Sequence, residues 1–234
     1  MSVEVYSVRG IDWQELERLR EEKTRLAIER PQSHFLLLSE PEATFTGGKR
    51  AADNELLPSA PNTGAAIHRA SRGGRWTVHG PGQMLIYPIF RLVDLGFPSR
   101  GVRPFLDRLS AGLLGWLVGL GLKATLGEPF GIYVDGKKIA AFGLSLERGV
   151  ISHGVALYLA PQQSAFEHIH PCGVPGQKTT SLLECGVRLS WDEVSGQIVE
   201  TLKKSFLPDS DWAYNVWTLE SALSVKTISG ESHG

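Results

Sequence analysis

Hydrophobic and polar positions alternate along residues 3–8 (VEVYSV), the period-two pattern of a strand with one buried face. Asp12 then opens a stretch to about residue 30 in which Leu16, Leu19 and Leu26 recur on one helical face, with Pro31 ending it. Its many charges read as a solvated helix face. Residues 34–38 (HFLLL) and 84–90 (MLIYPIF) are short apolar runs suited to buried strands. Between them, residues 39–66 are rich in Pro, Gly and Asn and read as loops. Residues 102–120 predict a long, mostly apolar helix ending near Gly121, and residues 191–206 another. Two β-like runs, 138–146 and 150–159, are joined at Glu147-Arg148-Gly149.

The pattern predicts an α+β protein with a mixed β-sheet flanked by helices. A single domain over residues 1–207 is expected. Beyond Pro208 the signal fades, so residues 208–234 are read as a C-terminal extension, partly disordered, with SGESHG at its end.

Composition narrows the class. The 234 residues are 42% hydrophobic and 21% charged, ordinary for a globular protein with a real core. A net charge of -1 argues against a nucleic-acid binder, which needs excess Lys and Arg to meet phosphates. No apolar run reaches the roughly 18 residues of a membrane span, and the N-terminus MSVEVYSVRG lacks the plan of a secretory signal. Two cysteines, Cys172 and Cys185, are too few for a disulfide framework. A cytoplasmic location is expected, with both thiols free for chemistry.

Residues 72–83 (RGGRWTVHGPGQ) hold four glycines, a proline and a histidine, poor material for a helix or strand interior. Glycine lets backbone approach a ligand closely. Trp76, Val78, Leu85 and Ile86 frame the stretch with apolar side chains, which favours a binding wall over a surface turn. Residues 131–137 (GIYVDGK) have the spacing of a phosphate loop, but Lys138 stands where Ser or Thr would hold magnesium, and the Ile-Tyr-Val interior is strand-like. That reading is rejected.

Cys172 is flanked by Pro171 and Gly173, which suits a thiol displayed on a turn. A zinc site from His168, His170 and Cys172 lacks a fourth ligand, so no metal is expected. A nucleophilic cysteine needs a partner for its proton. His79, His153, His168 and His170 are candidates, and so is Lys138, entering the run Ile139-Ala140-Ala141 with a pKa that burial would lower. Lys137 reads as a solvated strand end. If the turn at residues 147–149 closes a hairpin, Gly143 falls opposite His153 and leaves its imidazole space, although a slip of one residue reverses every face.

Taken together, the blocks at residues 72–83 with Tyr87-Pro88, 136–140 (GKKIA) with Gly143, 153–157 (HGVAL), and Pro171-Cys172-Gly173 with 180–182 (TSL) resemble the lipoyl(octanoyl) transferase family, the octanoyl-[acyl-carrier-protein]–protein N-octanoyltransferases. The resemblance implies the fold of biotin and lipoate protein ligase catalytic domains and no cofactor. It implies transfer of octanoyl from acyl carrier protein to a lysine of lipoyl domains. The recipients would be 2-oxoacid dehydrogenase complexes and the glycine cleavage protein. By the family pattern Cys172 carries the acyl thioester and Lys138 is its base. By the same pattern Arg72, Gly73, Gly74, His79, Gly80, Gln83, Gly143, His153, Gly154 and Gly173 would contact the substrate. Tyr158 departs from the family's asparagine, and residues 160–164 (APQQS) are atypical. Arg69, Arg72 and Arg75 are candidates for a basic rim facing an acidic carrier. Alternatives are an ATP-dependent lipoate or biotin protein ligase of the same fold, a thioesterase-like cysteine hydrolase, or a non-catalytic protein that binds acyl chains or lipoyl domains.

Overall fold

The computed structural model describes residues 1–161, 163–169 and 177–216. Eleven strands and four α-helices are described, in the order β1 (Ser2–Ile11), α1 (Trp13–Glu29), β2 (Ser33–Pro41), β3 (Thr44–Gly47), β4 (Ala66–Arg69), β5 (Trp76–His79), β6 (Gln83–Arg91), α2 (Val102–Gly119), β7 (Ala124–Gly127), β8 (Gly131–Val134), β9 (Lys137–Glu147), β10 (Val150–Tyr158), α3 (Gln163–Phe166), α4 (Trp191–Phe206) and β11 (Asp211–Val216). An eight-stranded sheet runs β11-β1-β2-β6-β10-β9-β8-β7, and β4-β3-β5 form a second, small sheet. β1 pairs in parallel with β2 and β11, while the pairs from β2–β6 to β7–β8 are antiparallel. The large sheet is mixed, as the mixture of strand-like and helical segments suggests.

Each face of that sheet has its own core. In β6, Met84, Ile86 and Phe90 join Phe105, Leu109 and Leu113 of α2 and Ile198 and Leu202 of α4. Leu85, Tyr87 and Ile89 point the other way, to Trp13 and Leu16 of α1, Phe45 of β3 and Trp76 and Val78 of β5. Each such fully buried aliphatic or aromatic side chain stabilises the fold by about 1.5–3 kcal/mol. Asp12 caps α1, its carboxylate accepting from the backbone N–H of Gln14 at 2.8 Å and Glu15 at 3.2 Å.

Several expectations need correction. Residues 39–66 are not all loop: β2 runs on to Pro41, and β3 lies within the stretch. The glycine-rich segment contains a strand, β5, because Trp76-Thr77-Val78-His79 supplies β-branched and aromatic residues between the glycine pairs. β11 joins the large sheet from beyond residue 207, where the sequence pattern fades. The solvated reading of the α1 charges fails for Arg20 and Lys23, which are buried. Arg20 is held by Glu17 at 3.0 Å through both Nε and Nη2, and the Lys23 ammonium sits 4.6 Å over the Tyr6 ring. Residues 131–134 form strand β8, in keeping with rejection of a phosphate loop.

The β9–β10 hairpin is shifted by one residue from expectation. Glu147 pairs with Val150, leaving a two-residue turn, so His153 faces Leu144 and Gly154 faces Gly143. Arg148 and Gly149 take φ of 45° and 81°, the geometry of a tight primed turn. Arginine rarely adopts that backbone, so the shorter loop was not visible in the sequence.

Candidate functional site

A cleft of about 490 Å³, including its open mouth, lies between the large sheet and the small one. Its floor is a patch of small residues on adjacent strands: Ala141 and Gly143 of β9, Gly154 and Ala156 of β10. Leu85 and Tyr87 of β6 continue the floor, and Trp76, Thr77 and His79 of β5 with Arg72 and Gly74 form the roof. The glycines of the floor keep it low, Gly154 the more strictly of the two. A Cβ on Gly154 would meet the Ile86 carbonyl at 2.0 Å, and one on Gly143 would meet Arg72 Cδ at 3.1 Å.

The roof is fastened by Arg72. This residue is buried, and its guanidinium donates to Thr46 O and Thr46 Oγ1, each at 2.7 Å, and to Gly73 O and Arg75 O. Gly73 N–H donates to Leu144 O at 2.9 Å, tying the loop to β9. The basic-rim expectation is therefore corrected for Arg72, which turns inward as a clamp. Arg69 and Arg75 are exposed but committed to ion pairs with Asp53 and Glu55.

His79 is buried, its ring stacked on Trp13 at 5.5 Å. Its Nδ1 lies 3.1 Å from Gln83 Oε1, and Gln83 Nε2 donates to Val78 O. The Gln83 oxygen is thereby the acceptor, so His79 carries its proton on Nδ1. Burial, reinforced by Arg72, pushes its pKa down to about 3, so the ring is neutral. Nε2 has no hydrogen-bond partner among the described residues. Gly80 and Gln83 bracket a turn closed by Gln83 N–H to Gly80 O at 3.1 Å, with Gly82 at φ 87° behind Pro81.

His153 is not among the residues lining the cleft, although it packs on the same face of the sheet. It is fully buried at φ 53°, a strained backbone for a non-glycine residue. Its Nε2 is 3.0 Å from Ser71 Oγ, its Nδ1 3.7 Å from Glu17 Oε1, and the Tyr87 ring meets it edge-on at 5.3 Å. Burial, then the charges of Arg20 and Arg72, hold its pKa well below the usual histidine value.

Lys138 is buried and Lys137 exposed, as their neighbours suggest. Between Ile132 and Tyr133 the β8–β9 register shifts, and Tyr133 pairs with Lys138. This bulge puts both Ile139 and Ala140 into the core beneath α2 and α4, so Lys138 projects from the cleft face. Its stem lies across Gly131, where a Cβ would meet Lys138 Cε at 2.9 Å, and its ammonium is 5.3 Å from the Tyr133 ring centre. Gly131 pairs with Ala141, so the stem runs toward the cleft floor. The ladder Gln83–Tyr158 and Leu157–Ala140 sets Lys138 and the His79–Gln83 pair at the same end of the strands that floor the cleft, Lys138 lying just outside its lining.

Cys172 and Gly173 lie outside the described residues, as does His170 of the zinc option. The chain beyond them returns to Lys138: Lys138 N–H donates to Lys178 O at 3.0 Å, and Thr180 N–H to Lys138 O at 2.9 Å. His168 is bonded to Ser59 Oγ at 2.9 Å. Cys185 is half-buried, 3.5 Å from Thr180 Oγ1. Tyr158 is buried against Phe166 and is not among the residues lining the cleft. Among the described residues no helix is long and apolar enough to cross a membrane.

Sequence reasoning missed the parts played by Gly131, Trp13 and Thr46. Trp13 carries no local signal, because its partner His79 is distant in sequence. Gly131 was legible only as part of the rejected loop motif.

A mixed sheet with α1 and a small sheet on one face, and a cleft between the two sheets, is the fold of lipoate protein ligases. The bipartite lipoate protein ligase of Thermoplasma acidophilum superposes with a TM-score of 0.74 at 14% identity, covering 96% of this chain and 90% of that one. A lipoate-protein ligase A bound with ATP gives 0.75 at 14% identity, covering 96% and 92%. The chain belongs to the lipoyl protein ligase A/B catalytic domain family, matched over residues 16–203. Its relatives include a mitochondrial octanoyltransferase of Arabidopsis thaliana, 34% identical over 97% of this chain and 96% of that protein. An octanoyltransferase of Methylococcus capsulatus is 39% identical over 71% and 78%.

Proposed function

We propose that this protein transfers an octanoyl group from acyl carrier protein to a specific lysine of lipoyl domains, by way of a thioester on Cys172. The observation that carries the reading is the apolar cleft, with buried Lys138 just beyond Ala141 on one of its floor strands, in a chain whose relatives are octanoyltransferases. An octanoyl chain of about seven methylene-sized groups, at roughly 0.8 kcal/mol each, would gain roughly 5–6 kcal/mol on entering such a cleft. Short acyl groups gain less, and a chain one or two carbons longer is rejected only modestly.

In the first step the Cys172 thiolate attacks the carrier's thioester carbonyl, and the carrier's sulfur leaves with a proton from the Lys138 ammonium. In the second, the lipoyl-domain lysine attacks the new thioester, an amide bond forms and the Cys172 sulfur is released. Lys138 accepts the proton lost by the amine and returns one to sulfur. Thioester exchange is nearly isoenergetic and amide formation downhill, so no nucleotide is needed. The test is a reaction of enzyme, octanoyl carrier and apo lipoyl domain without ATP, followed by intact mass of the lipoyl domain. Gain of one octanoyl group, absent with Cys172→Ser, is expected. Product from free octanoic acid and ATP, but not from the carrier, would instead establish a ligase.

A further inference from the structure

The octanoyl chain itself offers no hydrogen-bond donor, yet the cleft holds a buried acceptor. His79 lines it, 5% exposed, with Nδ1–H spent on Gln83 and Nε2 without a partner among the described residues. An unpaired polar atom in such a place costs stability unless a ligand meets it. The Gln83 amide cannot turn to release the ring, because its nitrogen is committed to Val78 O. Stacking on Trp13, with an angle of 6° between the planes, fixes the ring's orientation. A ring held neutral near pH 7 serves as an acceptor and not as a proton store.

We infer that His79 Nε2 accepts a hydrogen bond from the ε-amine of the incoming lysine, orienting its lone pair toward the acyl carbonyl. The assignment rests on the octanoyl transfer proposed above and gives it a second residue at the reacting end. Its basis is the placement of the His79–Gln83 pair at the same end of the floor strands as Lys138. The donor that reaches that end in the second step is the amine N–H. As the nitrogen–carbon bond forms and the carbon–sulfur bond breaks, the nitrogen's surplus proton passes to Lys138 and on to sulfur. His79 takes no proton and only holds the second N–H in place.

The two steps are timed separately by rapid-quench mass analysis: charging of the enzyme by octanoyl carrier, then discharge of the isolated acyl-enzyme by apo lipoyl domain. His79→Phe keeps ring and stacking but removes the acceptor, and should slow discharge by roughly 10- to 100-fold, well beyond its effect on charging. His79→Gln, which can place an oxygen near the Nε2 position, should recover part of that loss. In the wild type, the ¹⁵N resonance of His79 Nε2 should remain that of an unprotonated nitrogen from about pH 5 to about pH 8. Equal slowing of both steps, or a larger loss in charging, would overturn the assignment, the latter placing the donor's arm there instead. A proton on Nε2 would also overturn it, and this readout stands even if His79→Phe fails to fold. If wild-type enzyme forms no octanoyl adduct, the transfer reaction itself fails, and the assignment with it.

Discussion

Lys138 lies across Gly131, its Cε 2.9 Å from the position a Cβ on that glycine would take, with the Ala140 carbonyl at 2.8 Å. The side chain is therefore seated by the absence of another, on the strand that pairs with its own. Gly131→Ala, whose methyl would meet the Ala140 carbonyl as well as the Lys138 stem, should lose about 1–3 kcal/mol and lower turnover about tenfold or more, by lifting the ammonium from its place. Lys138→Met, of similar volume, should lower it by roughly 10²–10⁴. Steady-state turnover beside thermal melting separates the two effects.

Gly143 and Gly154 face one another across β9 and β10, but they should respond differently to a methyl group. In Gly154→Ala the new atom meets backbone, the Ile86 carbonyl, and the variant should lose about 3 kcal/mol or fail to fold. In Gly143→Ala it meets the Arg72 side chain. That protein should fold with a narrower cleft and favour acyl chains shorter than octanoyl. Denaturation curves and a chain-length series of acyl carriers would show both.

Arg72 serves four acceptors on Thr46, Gly73 and Arg75 with one planar group. Arg72→Lys supplies a single ammonium in place of the fork, so it should cost about 3–5 kcal/mol, nearly as much as Arg72→Met. Urea unfolding measures this.

Burial holds His79 and His153 neutral in the native state, whereas in the unfolded chain they titrate near pH 6.5. Below that value the unfolded state binds more protons, so stability is complete above about pH 6.5 and falls as pH drops toward 3. The slope should approach about 1.4 kcal/mol per pH unit for each histidine. Urea midpoints at about pH 7.5, 6 and 5 should decline, and His79→Phe should remove its share of the decline.

Much of this architecture was legible in the chain. Alternation gave β1, and apolar runs gave β2, β6 and the β9–β10 hairpin, because each buries at least one face of a sheet. What escaped depends on contacts between distant segments. β3 and β5 are four residues long, and their partners lie far away in sequence. Arg20 looks solvated until Glu17 and the buried Ser152 are seen around it. The hairpin register turned on Arg148 accepting a left-handed backbone, and with it the pairing of Gly143 with Gly154 rather than His153. The cleft floor was hidden by that single step, since its small residues line up only in the true register.

The most direct test of the central claim takes the enzyme and octanoyl carrier alone, digests the quenched product and locates the adduct by peptide mass sequencing. One octanoyl thioester on Cys172, formed far more slowly with Lys138→Met, is the predicted result. An unmodified Cys172, or an octanoyl group carried on another residue, would contradict it.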